Sequence, residues 1–270
     1  NFSSLVPELE KGLVFSGIVV FPKKPFSYAK RRFLQEIVIS FLFIYYELSH
    51  IWYSSCMDKQ QLISEYNRLQ QIYGEKTLDP IIGGGKEDNP DICFIFMNPT
   101  GKNIASEKTW KSFKYPWVGT KNIWKLFVGI ERFSKEIYEE IKERKPYEWD
   151  YPFTEKIYSE VSNNDMYLTN LAKCTQLDAR PLPNSVFKEY KDLLIEELNI
   201  VRPKKIVVFG NQVSSIFLDK NISISKERKN IFKTNISNIE IDTVSTYYPV
   251  GQGQRNIAEA IDDIKWFINS

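Results

Sequence analysis

Four short apolar runs, each separated from the next by a longer stretch of helical periodicity, constrain this chain more than any other feature. They are Asp91–Met97 (DICFIFM), Met166–Asn170 (MYLTN), Lys205–Phe209 (KIVVF) and Ile239–Ser245 (IEIDTVS). Runs of that length are too short for helices; DICFIFM, ending at Asn98-Pro99, reads as a buried strand and the other three as further strands of the same sheet. Between and around them apolar residues recur at helical spacing. Leu62, Ile63, Tyr66, Leu69, Ile72 and Tyr73 predict a first helix stopped at Gly74. Ile123, Leu126, Phe127, Ile130 and Phe133 predict one helix over about Lys121–Lys142. Val186–Leu198 predicts another, capped by Asn184 or Ser185, then a short helix from Gly210 to about Leu218 and a closing one over Asn256–Ile268. Strands alternating with helices imply an α/β fold, a three-layer α/β/α arrangement around a central, mostly parallel four-stranded sheet. In such folds ligands sit beyond the carboxyl ends of the strands, so the segments following each strand hold the candidate site.

Composition narrows the chemistry. The three cysteines, Cys56, Cys93 and Cys174, form no CxxC pair. That argues against a zinc site, an iron–sulfur cluster or a disulfide framework and fits a reducing cytoplasm. The single histidine, His50, leaves everything after it without an imidazole. Residues 1–56 hold six Lys/Arg and four Glu, which leaves 30 charges of each sign beyond them. Affinity for nucleic acid must therefore come from a local patch rather than from net charge.

The first 56 residues form an N-terminal extension distinct from a domain at 57–270. Ile37–Tyr46 (IVISFLFIYY) is apolar but shorter than the roughly 20 residues that span a bilayer. A membrane or partner anchor, an extra packed helix, and a non-native extension ahead of a start at Met57 all fit it, with membrane contact the less favoured.

The strand-end segments run in order. Asn98-Pro99-Thr100-Gly101 follows the first strand, with Pro116-Trp117-Val118-Gly119 after it. Asn170-Leu171-Ala172-Lys173-Cys174 follows the second, and Thr246-Tyr247-Tyr248-Pro249 leads to the tip Val250–Arg255 after the fourth. Asn170 ends a buried strand, where its amide either caps a neighbouring loop or reads a ligand edge with its donor and acceptor. From Asn98 to Lys125 there are six lysines (Lys102, Lys108, Lys111, Lys114, Lys121, Lys125) against one acid, Glu107, interleaved with Trp110, Phe113, Tyr115 and Trp117. That composition suits a groove for single-stranded nucleic acid or a flipped base, and equally a solvated loop.

Taken together these segments resemble the uracil-DNA glycosylase superfamily over roughly Asp91–Phe267. Its branch with iron–sulfur, thermophile-type members is the nearest, through MYLTNLAKCTQLDARPLP and the later RPKKIVVFG. The resemblance implies a base-excision hydrolase acting on uracil or a related deaminated base in DNA, without metal or organic cofactor and without an obligatory protein partner. It implies that Asn98 directs the attacking water, Trp117 stacks on the extruded base, Asn170 reads its edge, and Tyr248 stands where the family usually has histidine. Lys102, Lys108, Lys111, Lys114, Gln252 and Arg255 are the expected DNA contacts. Cys174 matches one cluster ligand, but its partners are missing. Two rivals stay open: a DNA- or base-binding member of the same fold without catalysis, and a hydrolase or transferase acting on a free nucleotide. No glycine-rich phosphate loop supports the latter.

Overall fold

The computed structural model describes residues 57–179 and 182–270; the readings of residues 1–56 fall outside it. All four expected strands are present and parallel. They are β2 (Ile92–Phe96), β3 (Met166–Asn170), β4 (Lys205–Phe209) and β6 (Ile239–Thr246). The sheet has six strands, however, in the order β1-β3-β2-β4-β6-β5. Antiparallel β1 (Gly84–Gly85) and β5 (Phe232–Ile236) form its two edges. Neither edge was foreseen. A two-glycine strand has no side-chain signal, and the polar alternation of FKTNI reads as loop until Ile239–Thr246 supplies a hairpin partner.

The strand residues alternate between two cores. Phe94, Phe96, Leu168, Val207, Phe209 and Val244 face α2 (Trp124–Gly129), α3 (Lys135–Glu143), α4 (Tyr151–Asn163) and α8 (Ile257–Ile268). Cys93, Ile95, Tyr167, Ile206 and Val208 face α1 (Lys59–Tyr73), α5 (Asn184–Val201) and α6 (Asn211–Phe217). A further short helix, α7 (Ile224–Glu227), lies between α6 and β5 in the chain. Covering both faces explains why β2 and β4 read as apolar runs rather than as alternation, while β6, exposed at its start, carries Glu240 and Asp242 there.

Three helix boundaries differ from expectation. The segment read as one helix over Lys121–Lys142 is two, α2 and α3, broken where Glu131 takes a left-handed φ of 61°. Ser134 then caps α3 by accepting from the Ile137 N–H. The periodicity ran through the break because both helices bury residues against the same core. Helix α5 starts after Pro183 without a side-chain cap, not from an Asn184 or Ser185 cap. Helix α4 was missed, although Asp150 caps it and Pro152 sits in its first turn. Helix α1 does end before Gly74, and a capping box between Asp58 and Gln61 opens it. No helix among the described residues is long and apolar enough to cross a membrane.

Candidate active site

Phe96, the last residue of β2, organises the carboxyl edge of the sheet. It is fully buried and stacks on Phe209, with ring centroids 4.6 Å apart. Trp117 meets it edge-to-face at 5.0 Å and Tyr248 at 6.3 Å. Asn170 is its register partner on β3. Strand alternation puts Asn170 on the same face as Met166 and Leu168, which is the Phe96 face. Asn98 lies two residues beyond Phe96, and the ends of β2 and β3 are joined there by Leu171 N–H to Phe96 O (2.8 Å) and Ala172 N–H to Met97 O (3.0 Å). Trp117 and Tyr248 therefore meet one ring, with Asn170 beside it in register and Asn98 on the turn that follows it.

Each has a distinct local state. Asn98 is half-buried and spends its amide N–H on the Pro99 carbonyl (3.0 Å). Its carbonyl oxygen accepts from nothing among the described residues. Asn170 is 3 % exposed; its backbone carbonyl accepts from Lys173, and its carboxamide makes no hydrogen bond to the described residues. The amide's donor and acceptor are therefore open to the edge of a ligand.

Trp117 has a left-handed φ of 68°, unusual for a bulky side chain. The turn is fixed by Thr120, whose N–H (3.2 Å) and hydroxyl (2.8 Å) both donate to the Trp117 carbonyl. Gly119, at φ 80°, holds a backbone conformation that other residues rarely adopt, and a Cβ there would lie tightly against the Ile104 side chain at 3.0 Å. Tyr158 donates to the Pro116 carbonyl from below. Thus Pro-Trp-Val-Gly is shaped as a unit that presents the indole to Phe96. The indole N–H is buried without a partner.

Tyr248 is half-buried. Burial pushes its phenol well above the ordinary tyrosine value, against a smaller opposing effect from the Met97 backbone. It therefore stays protonated, a neutral donor, at any physiological pH. Behind it, Thr246 donates to Asp263 Oδ2 (2.6 Å), and the buried Asp263 also receives Arg228 Nε at 3.0 Å. Arg228 in turn covers the Tyr247 ring. This clamp from α8 and the α7 end holds the Thr-Tyr-Tyr-Pro turn and was not foreseen. Its signal was present: Asp263 occupies the apolar stripe Ala260-Ile264-Phe267 of α8.

The expected DNA contacts divide. Lys102, Lys108 and Lys111 are exposed, as is Lys125 outside that set; Lys108 donates to the Lys76 carbonyl (2.7 Å) and Lys111 to the Lys108 carbonyl (3.3 Å), neither meeting a carboxylate among the described residues. Lys114 is instead paired with Asp79 at 2.9 Å and also donates to the Glu107 carbonyl, so it is not an uncommitted cation. The interleaved aromatics are committed too. Phe113 stacks on Tyr115 at 4.9 Å, Tyr115 packs on Tyr158 at 4.6 Å, and the Trp110 indole donates to the Phe113 carbonyl (3.0 Å). They build the wall of the loop, and Trp117 alone of this set lies against Phe96. The tip carrying Gln252 and Arg255 is a 3-10 helix, Gly251–Asn256, with both side chains exposed. Gly253 passes so close to Tyr248 that a Cβ there would lie 1.8 Å from the Tyr248 carbonyl oxygen, which fixes the tip beside the site.

An iron–sulfur cluster does not fit these residues. Cys174 is buried and receives a long contact from Gln176 Nε2 (3.8 Å), and Cys93, the other described cysteine, is buried within β2. Three cysteines in the whole chain cannot supply the four thiolates such clusters take. Among the described residues no group of three or more His, Cys, Asp or Glu could hold a metal ion.

A three-layer α/β/α protein with two amides, an indole and a phenol collected at the carboxyl edge of its parallel strands belongs to the class that binds ligands across that edge. A family model for the uracil DNA glycosylase superfamily matches residues 83–264, and the chain belongs to that superfamily. No curated protein gives a significant match.

Proposed function

We propose that this chain is a monofunctional DNA glycosylase that hydrolyses the bond between deoxyribose and uracil, or a related deaminated base, after the base has left the stack. Superfamily membership supports a glycosylase acting on DNA in general. The observation that carries the specific reading is the Asn170 carboxamide, without a hydrogen bond to the described residues and on the sheet face of Phe96, the ring that Trp117 and Tyr248 also meet.

A flipped pyrimidine would stack on Trp117 and offer its edge to Asn170, whose amide matches one carbonyl and one N–H. The bond from C1′ to the base nitrogen breaks with its electron pair leaving on the base. The sugar becomes oxocarbenium-like, water adds to C1′, and a proton is released. Such a cation needs an oriented water more than a strong base, and the Asn98 carbonyl oxygen can orient that water by accepting a hydrogen bond from it. Tyr248 donates to the base as charge gathers on its oxygens. A phenol is differently placed from the family's usual histidine and remains neutral, and loss of one oxyanion donor costs about 3 kcal/mol. We therefore expect a slower enzyme or a shifted base preference, with Lys102, Lys108, Lys111, Gln252 and Arg255 holding the flanking backbone.

Oligonucleotides containing one uracil, hypoxanthine or xanthine, incubated with the protein and with Asn98→Ala, test this. Base release at a rate lowered about a hundredfold or more in the variant is the expected result. No release from any substrate, or equal release by the variant, would remove the proposal. Tight binding of a uracil-containing strand without turnover would select the non-catalytic reading, which the change to Tyr248 favours.

A further inference from the structure

Lys173 lies three residues beyond Asn170 and is completely buried. A buried ammonium is costly unless its protons are placed. Here all three are. They go to Thr169 Oγ1 (2.7 Å), to Glu197 Oε2 (2.8 Å) and to the Asn170 carbonyl oxygen, with the Tyr66 ring 5.3 Å away. Glu197, 5 % exposed, also accepts from Thr169 Oγ1 (2.6 Å), Tyr167 OH (3.0 Å) and Tyr66 OH (2.6 Å). Burial by itself would raise the Glu197 carboxyl, but Lys173 and these donors outweigh it and hold it below the ordinary glutamate value. The network joins α1, β3, the turn after β3 and α5.

Buried ion pairs contribute little stability compared with apolar residues of the same shape. Packing alone therefore does not account for this one, and its connections are informative. Of the three ammonium bonds, two stay within the network and one reaches the peptide of Asn170. That carbonyl is the outgoing half of the residue whose carboxamide faces Phe96. With Leu171 N–H already held by Phe96 O, the ammonium fixes the remaining freedom of the peptide plane between them.

We infer that Lys173, anchored by Glu197, is a positioning residue that sets the orientation of the base-reading amide of Asn170. The inference rests on the proposed role of Asn170. It goes beyond that role by placing a determinant of recognition on the far side of the sheet, out of reach of any substrate.

The test separates stability from orientation. Lys173→Met alone strands a buried carboxylate and should lower the urea midpoint. Lys173→Met with Glu197→Gln removes both charges, keeps one acceptor oxygen for Thr169 and Tyr167, offers an N–H that the Tyr66 hydroxyl oxygen can accept, and should restore most of that midpoint. If the ammonium positions Asn170, excision of uracil from a single-stranded oligonucleotide by the refolded double variant stays about tenfold or more below wild type in kcat/KM. The same pair of changes then adds no further loss in an Asn170→Ala background. Activity that recovers along with stability, or losses that multiply with Asn170→Ala, would overturn the inference while leaving the proposed function standing. A wild-type chain that releases no base would remove both.

Discussion

Trp117 concentrates two local costs. Its left-handed φ of 68° costs about 1 kcal/mol for a residue with a Cβ, and a buried indole N–H without a partner costs about 1–3 kcal/mol. Backbone outliers of this kind cluster where function demands a particular presentation. Trp117→Phe keeps a ring against Phe96 and deletes the orphaned donor, so its denaturant-unfolding free energy should fall by less than about 1 kcal/mol. Trp124→Phe should cost about 2 kcal/mol or more by the same measurement, because that fully buried indole donates to the Thr120 carbonyl at 2.9 Å. Tyr248 leads to a pH expectation. A phenol whose value is raised keeps its proton as pH climbs through the ordinary tyrosine value of about 10. The pH profile of kcat/KM should therefore show no alkaline loss from Tyr248 between about pH 7 and 10, and Tyr248→Phe should lower the whole profile by about a hundredfold. A descending limb below pH 9 that vanishes in Tyr248→Phe would contradict this.

The site-bearing turns are held by buried carboxylates on helices. Removing Asp263, which serves both Thr246 and Arg228, should cost about 3 kcal/mol in denaturant unfolding as Asp263→Ala. The exposed Lys233–Asp242 pair across the edge hairpin should matter by less than about 1 kcal/mol in a double-mutant cycle. Glu197 makes stability fall in acid. Its folded-state value lies below that of the unfolded chain, so its contribution is complete above the ordinary glutamate range and is lost as pH falls through the folded value. A Glu197→Gln variant, compared with wild type across that window, should show a shallower acid loss. Helices and strands were unequally legible in the sequence. Strands β2 and β4 announced themselves because burial on both faces leaves apolar runs, while the edge strands β1 and β5 pair on one side only and carry no such signature. The break between α2 and α3 was hidden because Phe133 continues the stripe across it. Glu197 and Asp263 were overlooked although each interrupts an apolar stripe, at Tyr190-Leu194-Val201 and at Ala260-Ile264-Phe267. A lone acid on such a stripe signals a buried partner elsewhere in the fold, which sequence spacing cannot name.

Across the whole molecule, charge is balanced beyond residue 56, so binding to DNA depends on where cations remain uncommitted. Four exposed lysines, Lys102, Lys108, Lys111 and Lys125, follow Asn98 in sequence. If all reach phosphates of a single strand, the slope of log K against log salt should be about −3. Lys102→Ala and Lys111→Ala should each shallow it by roughly 0.7. Lys114→Ala should leave it nearly unchanged, because its ammonium is engaged by Asp79. The strand-end residues could be read from the chain, since ligands in parallel sheets sit at those ends. Their convergence could not, because it depends on the Phe96–Asn170 register and on two edge-to-face contacts with Phe96.

The central claim is that Asn98, Trp117, Asn170 and Tyr248 together receive one unstacked base. A crystal structure of Asn98→Ala bound to a uracil-containing oligonucleotide tests it most directly. The prediction is a uracil out of the strand, its face on Trp117 and its edge hydrogen-bonded to the Asn170 carboxamide. A uracil still stacked in the nucleic acid, or lodged away from Phe96, would contradict it.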